Sequence, residues 1–134
     1  RLPVIIHTRD AEEATLQVLD ETPWRGEGLR GVVHCFTGDR SFAARLLDRS
    51  LAISFSGIVT FRNADMLRGS AVFVPDERLL IETDSPFLAP VPKRSLRNEP
   101  AFVVHVAECL AKVRGTTVDH IAAVTYENAM RLFG

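Results

Sequence analysis

An α/β fold with a parallel sheet is predicted for this chain by three observations. Four short runs, PVIIH (3–7), GVVHCF (31–36), LAISF (51–55) and LLIETD (79–84), are largely β-branched and nearly continuous in apolarity. Strands covered on both faces read this way. The stretches between the runs carry helical spacing and start signals. Runs and stretches alternate through the chain, and such alternation joins parallel strands through helices packed outside the sheet. Two architectures fit: a small open doubly wound sheet, or part of a (β/α)8 barrel, which typically takes ~250 residues. Four βα units in 134 residues are about half of one.

Each element has its own warrant. After the first strand, Asp10 and Glu13 offer a capping box to the segment ATLQVL, in which Ala14, Leu16 and Leu19 share a buried face. Asp39 or Ser41 can cap FAARLLDR after the second strand, and Asn63 can cap ADMLRGSA after the third. This third helix is the weakest of the set, because Gly69 and Ser70 interrupt it. The fourth strand runs into a proline-rich loop, PFLAPVPKRSLRNEP, and a helix over 100–113 follows. A last helix spans about 117–133, with Val118, Ile121, Ala122, Val124, Ala129 and Leu132 as its apolar positions. There is no repeat beyond the βα period and no low-complexity tract.

Composition narrows the function classes. A hydrophobic share of 46% against 25% charged is that of a globular protein rather than a disordered one. The formal charge of -1 gives no global basic field, so contact with nucleic acid has to be local. Cys35 and Cys109 lie far apart without CxxC spacing, which argues against a zinc ribbon or a disulfide framework and suits a reducing compartment. No run approaches the ~18 apolar residues of a membrane helix. A cytoplasmic location is the expectation. The chain enters its first apolar run directly from Arg1, with no initiator Met, and reads as a fragment or a truncated reading frame.

The chemistry gathers at the carboxyl ends of the strands, where active residues of either architecture sit. His7 ends the first run, His34 lies near the end of the second, and Asp84 ends the fourth. Alternation by two places Glu82 with Asp84 on one face. A lone histidine at a strand end is ordinarily just hydrogen-bonded, whereas ligand-type residues at three matching strand ends point to a shared site. Imidazole with carboxylate suits Zn, Mn or Fe, and carboxylate alone also suits Mg. Cys35, next to His34, is expected to face the helix layer as a core thiol, and Cys109 is expected in the core. Ser54 and Ser56 share a face of the third strand and are candidates to line the site. Thr37, Gly38 and Gly57 offer backbone amides at the same rim. His105 and His120 fall on helices, as surface or packing residues. Lys93, Arg94 and Arg97 form a local basic cluster after Asp84, either a solvated loop or a phosphate grip.

The segments VIIHTRDA, VVHCFTG, SFSGIVTFRNAD, IETDSPFLAP, RNEP and ENAMRLFG, in this order and spacing, resemble the TatD family of metal-dependent deoxyribonucleases. The resemblance runs from Arg1 to Gly134. It implies an amidohydrolase-like TIM barrel of which this chain is a single partial domain, residues 1–134, carrying strands five to eight. It also implies that His7 and His34 serve one ion of a two-metal centre. Asp84 binds the other ion and takes a proton from the attacking water, and Glu82 has a supporting role behind the ligands. Lys93, Arg94 and Arg97 are candidates for phosphate contact. The implied cofactors are two divalent ions, Mg2+ by default with Zn2+ or Mn2+ as alternatives, and the implied substrate is single-stranded DNA or DNA strand ends. The family's amino-terminal HxH pair and the glutamate of its fourth strand have no counterpart here. Ser95 and Leu96 stand where a Gly and a basic residue are usual, and Tyr126 where Thr is common. The expected activity is hydrolysis of DNA phosphodiesters, with the 134-residue chain inactive by itself. The alternatives are a related barrel acting on amides or other esters, and a non-catalytic fragment whose partner is the other half of the barrel.

Overall fold

A computed structural model describes residues 2–23 and 28–134; Arg1, where the family-like region begins, lies outside them. Four parallel strands, β1 (Val4–Ile6), β2 (Gly31–Val33), β3 (Ala52–Phe55) and β4 (Leu79–Ile81), pair in the order β1-β2-β3-β4. The order never reverses. A doubly wound sheet reverses at its switch point, so between the two architectures the sheet has the winding of a barrel segment.

Among the described residues, five α-helices accompany the strands: α1 (Glu12–Glu21), α2 (Arg40–Leu47), α3 (Asp65–Phe73), α4 (Val103–Arg114) and α5 (Val118–Phe133). Outward side chains of the sheet, among them Val33, Ile53, Phe55 and Leu79, form one core with Leu16 of α1, Leu46 of α2, Leu67 of α3, Leu110 of α4 and Ile121 of α5. The opposite face buries Val32, Ala52 and Leu80 against Leu132 near the end of α5. α5 therefore contributes to both layers. Its buried positions are Ile121, Thr125, Asn128 and Leu132, so two polar residues sit on the stripe expected to be apolar. Thr125 Oγ1 donates to Ile121 O at 2.8 Å, and Asn128 Nδ2 donates to Asp76 O at 2.6 Å and Leu79 O at 2.8 Å. Their burial is tolerated because each finds a backbone partner.

Several local expectations are corrected. The capping box before α1 does not form: Ala11 is the N-cap, Asp10 precedes it at φ 51°, and Glu13 pairs with Arg45 of α2. Ala14 is exposed, whereas Leu16 and Leu19 are buried. α2 is capped by Asp39, which accepts from Phe42 N at 2.8 Å. Ala64, not Asn63, is the N-cap of α3. That helix runs unbroken through Gly69 and Ser70, and buried Ser70 donates to Gly38 O at 3.1 Å. The proline-rich loop after β4 lies close over the end of β3, for a Cβ at Gly57 would stand 2.1 Å from Leu88 O.

Candidate metal centre

The backbone ladder carries the site residues just beyond the regular strands. His34 N donates to Ile6 O at 3.0 Å, and Glu82 N donates to Phe55 O at 3.0 Å, so both residues continue the pairing by one step. Alternation then stops, because Cys35 adopts φ 48° and Asp84 φ 57°, the left-handed region that few non-glycine residues enter. Asp is among the residues that tolerate it. Asp84 is thereby turned back toward Glu82 and His34.

The outcome is a convergence. One ligand atom each from His34, Glu82 and Asp84 lie within 4.8 Å of one another. His34 Nδ1 is 3.2 Å from Glu82 Oε1, and its Nε2 is 3.0 Å from His7 Nδ1, with the two imidazole centroids 5.0 Å apart. His7 is exposed and the other three are half-buried, which leaves the cluster open to solvent. Two imidazoles and two carboxylates are a donor set for a borderline or hard divalent cation. The residues present fit such an ion.

The chain on either side of Asp84 is held by a side chain that residue types alone did not single out. Asn98, 3% exposed, donates from Nδ2 to Thr83 O at 2.7 Å and to Phe87 O at 2.6 Å. Its Oδ1 accepts from Glu99 N at 3.0 Å. Asn98 thus ties down the residues flanking Asp84 from the buried side. The only sequence signal was its place within RNEP.

The remaining candidates separate. Cys35 is buried, as expected, but it does not join the helix-side core. Its Sγ lies 3.3 Å from Ser56 Oγ, and Phe36 takes the core position. Burial pushes the Cys35 thiol up, the Ser56 hydrogen bond opposes this, and the charges of Asp84 and Glu82 add to the rise. Ser54 lines the inner hollow beside His34 and Glu82. Thr37 and Gly38 line a separate depression with Asp10, Glu13 and Asp39. His105 pairs with Glu108 at 2.9 Å and His120 with Asp76 at 2.8 Å, both on the helix layer. Cys109 packs against the core with its Sγ 3.5 Å from Val59 O. In the basic loop, Arg94 lies 3.8 Å over the Phe61 ring and donates to Ala89 O at 3.1 Å, and Lys93 lies 5.6 Å over Phe102. Arg97 is exposed and has no partner among the described residues.

The family described as TatD related DNase matches residues 1–134. The chain belongs to this family. It is 56% identical over 131 residues to the Escherichia coli K12 protein named uncharacterized metal-dependent hydrolase YcfH, covering 98% of this chain and 49% of that one. It is 41% identical over 138 residues to the 3'-5' ssDNA/RNA exonuclease TatD of Salmonella typhimurium, covering 99% of this chain and 52% of the relative. The crystal structure of YJJV, a TatD homolog from Escherichia coli K12, superposes with a TM-score of 0.87 at 29% identity, over 98% of this chain and 50% of that one. The chain thus spans about half the length of the TatD-family relatives it matches. Among the described residues, no helix is long and apolar enough to cross a membrane.

Proposed function

We propose that this chain supplies strands five to eight, the carboxyl-terminal half, of a TatD-type barrel that hydrolyses phosphodiester bonds of single-stranded DNA. The observation that carries the reading is the approach of His34, Glu82 and Asp84 within 4.8 Å, with His7 3.0 Å from His34. The name of the Salmonella relative, an exonuclease on single-stranded DNA and RNA, supports the substrate class. Residues 1–134 form a single partial domain on this reading, and the other half of the barrel is its partner. Two unpaired cysteines accord with a cytoplasmic location.

In this assignment His7, His34 and Asp84 hold divalent cations, with Mg2+, Zn2+ or Mn2+ all compatible with the donors. Ions bound there supply Lewis acidity to the phosphoryl group and lower the pKa of water. The chain does the rest. Glu82 accepts from His34 Nδ1–H, which fixes the ring and leaves the Nε2 lone pair facing His7. The Asp84 carboxylate accepts a proton from the attacking water. Asn98 is a positioning residue for Asp84. Arg97, the unpartnered member of the basic loop, is free to meet a substrate phosphate, while Lys93 and Arg94 keep that loop on its aromatic supports.

The test uses the chain joined to the remaining half of a TatD-type barrel and a 3'-labelled single-stranded oligonucleotide. Cleavage requires a divalent ion, is abolished by a chelator and falls by at least ~1000-fold in Asp84→Asn. An Asp84→Asn protein that keeps the wild-type rate sinks the assignment, and the 134-residue chain alone is expected to be inactive.

A further inference from the structure

We infer a phosphate-binding site at the opposite end of the sheet from the metal centre, where Arg30, Arg78 and Arg131 line one hollow with Asn128 and Glu77. Arg30 immediately precedes β2 and Arg78 immediately precedes β4, so both stand at the amino ends of the strands, and Arg131 comes from α5. Arg131 and Asn128 belong to ENAMRLFG, a segment that the metal chemistry does not use.

Three guanidinium charges, permanent at any accessible pH, meet there without a carboxylate partner among the described residues. Arg45, Arg49, Arg68 and Arg114 on the helix layer each pair with an acid. The three arginines of the hollow instead donate to neutral acceptors. Arg30 Nη2 reaches Arg131 O, and Arg78 Nη1 reaches Ser50 O at 2.7 Å. Arg131 Nη2 reaches Glu77 O at 3.0 Å and Asn128 Oδ1. These bonds fix the guanidinium groups but do not exhaust them. Among the described residues, Arg78 keeps the Nε and Nη2 edge that binds an oxyanion bidentately, and Arg30 and Arg131 each keep Nε and Nη1. Glu77 is the one acid of the lining, and its carboxylate makes no ion pair among the described residues. Convergent positive charge in a concave setting, with Arg78 half-buried, Arg30 and Arg131 exposed and donors left in several directions, matches the charge and the acceptor oxygens of a phosphate group.

The site is independent of the proposed reaction and is tested separately from it. Inorganic phosphate is titrated into the protein at fixed ionic strength without added divalent metal, and binding is read from the 31P line width. Saturable broadening is expected. Replacing Arg30 and Arg78 together by Gln weakens the affinity by roughly tenfold or more, whereas His34→Ala leaves it unchanged. Glu77→Gln alters an exposed side chain, disturbs no fold contact and tightens binding. Circular dichroism confirms that each variant keeps its helices. The inference is overturned by absent saturation in the wild type, by equal affinity in the arginine variant, or by loss of binding in His34→Ala.

Discussion

Glu82 and Asp84, two residues apart, occupy different positions because the backbone changes hand between them. Glu82 is still in the ladder, bonded at its amide to Phe55 O at 3.0 Å, while Asp84 at φ 57° has left it. Glu82 therefore acts on the His34 ring, and Asp84 turns its carboxylate in beside the two of them, with no hydrogen-bond partner for it among the described residues. His7, His34 and both acids were legible from the sequence, since ligand-type residues at the ends of apolar runs stand out against their neighbours. The left-handed turns at Cys35 and Asp84 were not, because no glycine marks them. Asn98 was also hidden, since its partners are carbonyls. On the proposed assignment, Glu82→Gln keeps an acceptor for His34 Nδ1–H but removes the charge behind it. The metal concentration for half-maximal cleavage should rise by about 10-fold to 100-fold. An unchanged metal dependence in this variant shows that Glu82 only packs.

At the scale of elements, the four strands were found from their apolar runs, but all four came out shorter, three of them at the carboxyl end, where regular pairing gives way as the functional residues begin. Helix starts were read less well. A capping box needs its first residue at the N-cap, and Asp10, with φ 51°, lies one place too early. The clearest inter-element fastening was likewise not in the pattern. Asp76, in the turn before β4, accepts from Arg114 at the end of α4 and meets His120 of α5 at 2.8 Å. The hydrogen bond with His120 first, and then Arg114, hold the Asp76 carboxyl below its ordinary 3.8. A depressed folded pKa means that the stability it contributes is fully present above 3.8 and is lost as pH falls through the lower, folded value. The urea midpoint of Asp76→Asn is expected below that of the wild type near neutrality, with the two converging in acid. A gap that stays constant through the acid range excludes the linkage.

For the whole molecule, alternation of runs and helical stretches was enough to predict the parallel α/β fold, but not to choose between an open doubly wound sheet and a barrel segment. The unreversed strand order settles which winding the sheet has. Such a segment leaves two strands with one neighbour each, and β1 is the more exposed of them. Val4 N donates to Arg30 O at 2.9 Å and Ile6 O accepts from His34 N at 3.0 Å, so the backbone groups of Val4 and Ile6 turn toward β2. In a parallel ladder the residues between and after them turn the other way, which directs the amides of Ile5 and His7 to the open edge. Beside that edge, Val4, Ile6, Ala14, Val18 and Leu19 line an apolar groove, and the Ile5 side chain is 65% exposed on the inner face. A neighbouring strand from the proposed other barrel half covers both features at once. Amide hydrogen exchange measures this directly. In the isolated chain the Ile5 and His7 amides should exchange as freely as a loop, while Val33 and Ile53 in the middle of the sheet are protected. Joined to the remaining half of a TatD-type barrel, Ile5 and His7 should slow by about 100-fold or more and Val33 should change little. Equal protection of Ile5 in both forms means that β1 is not the seam at which the barrel closes.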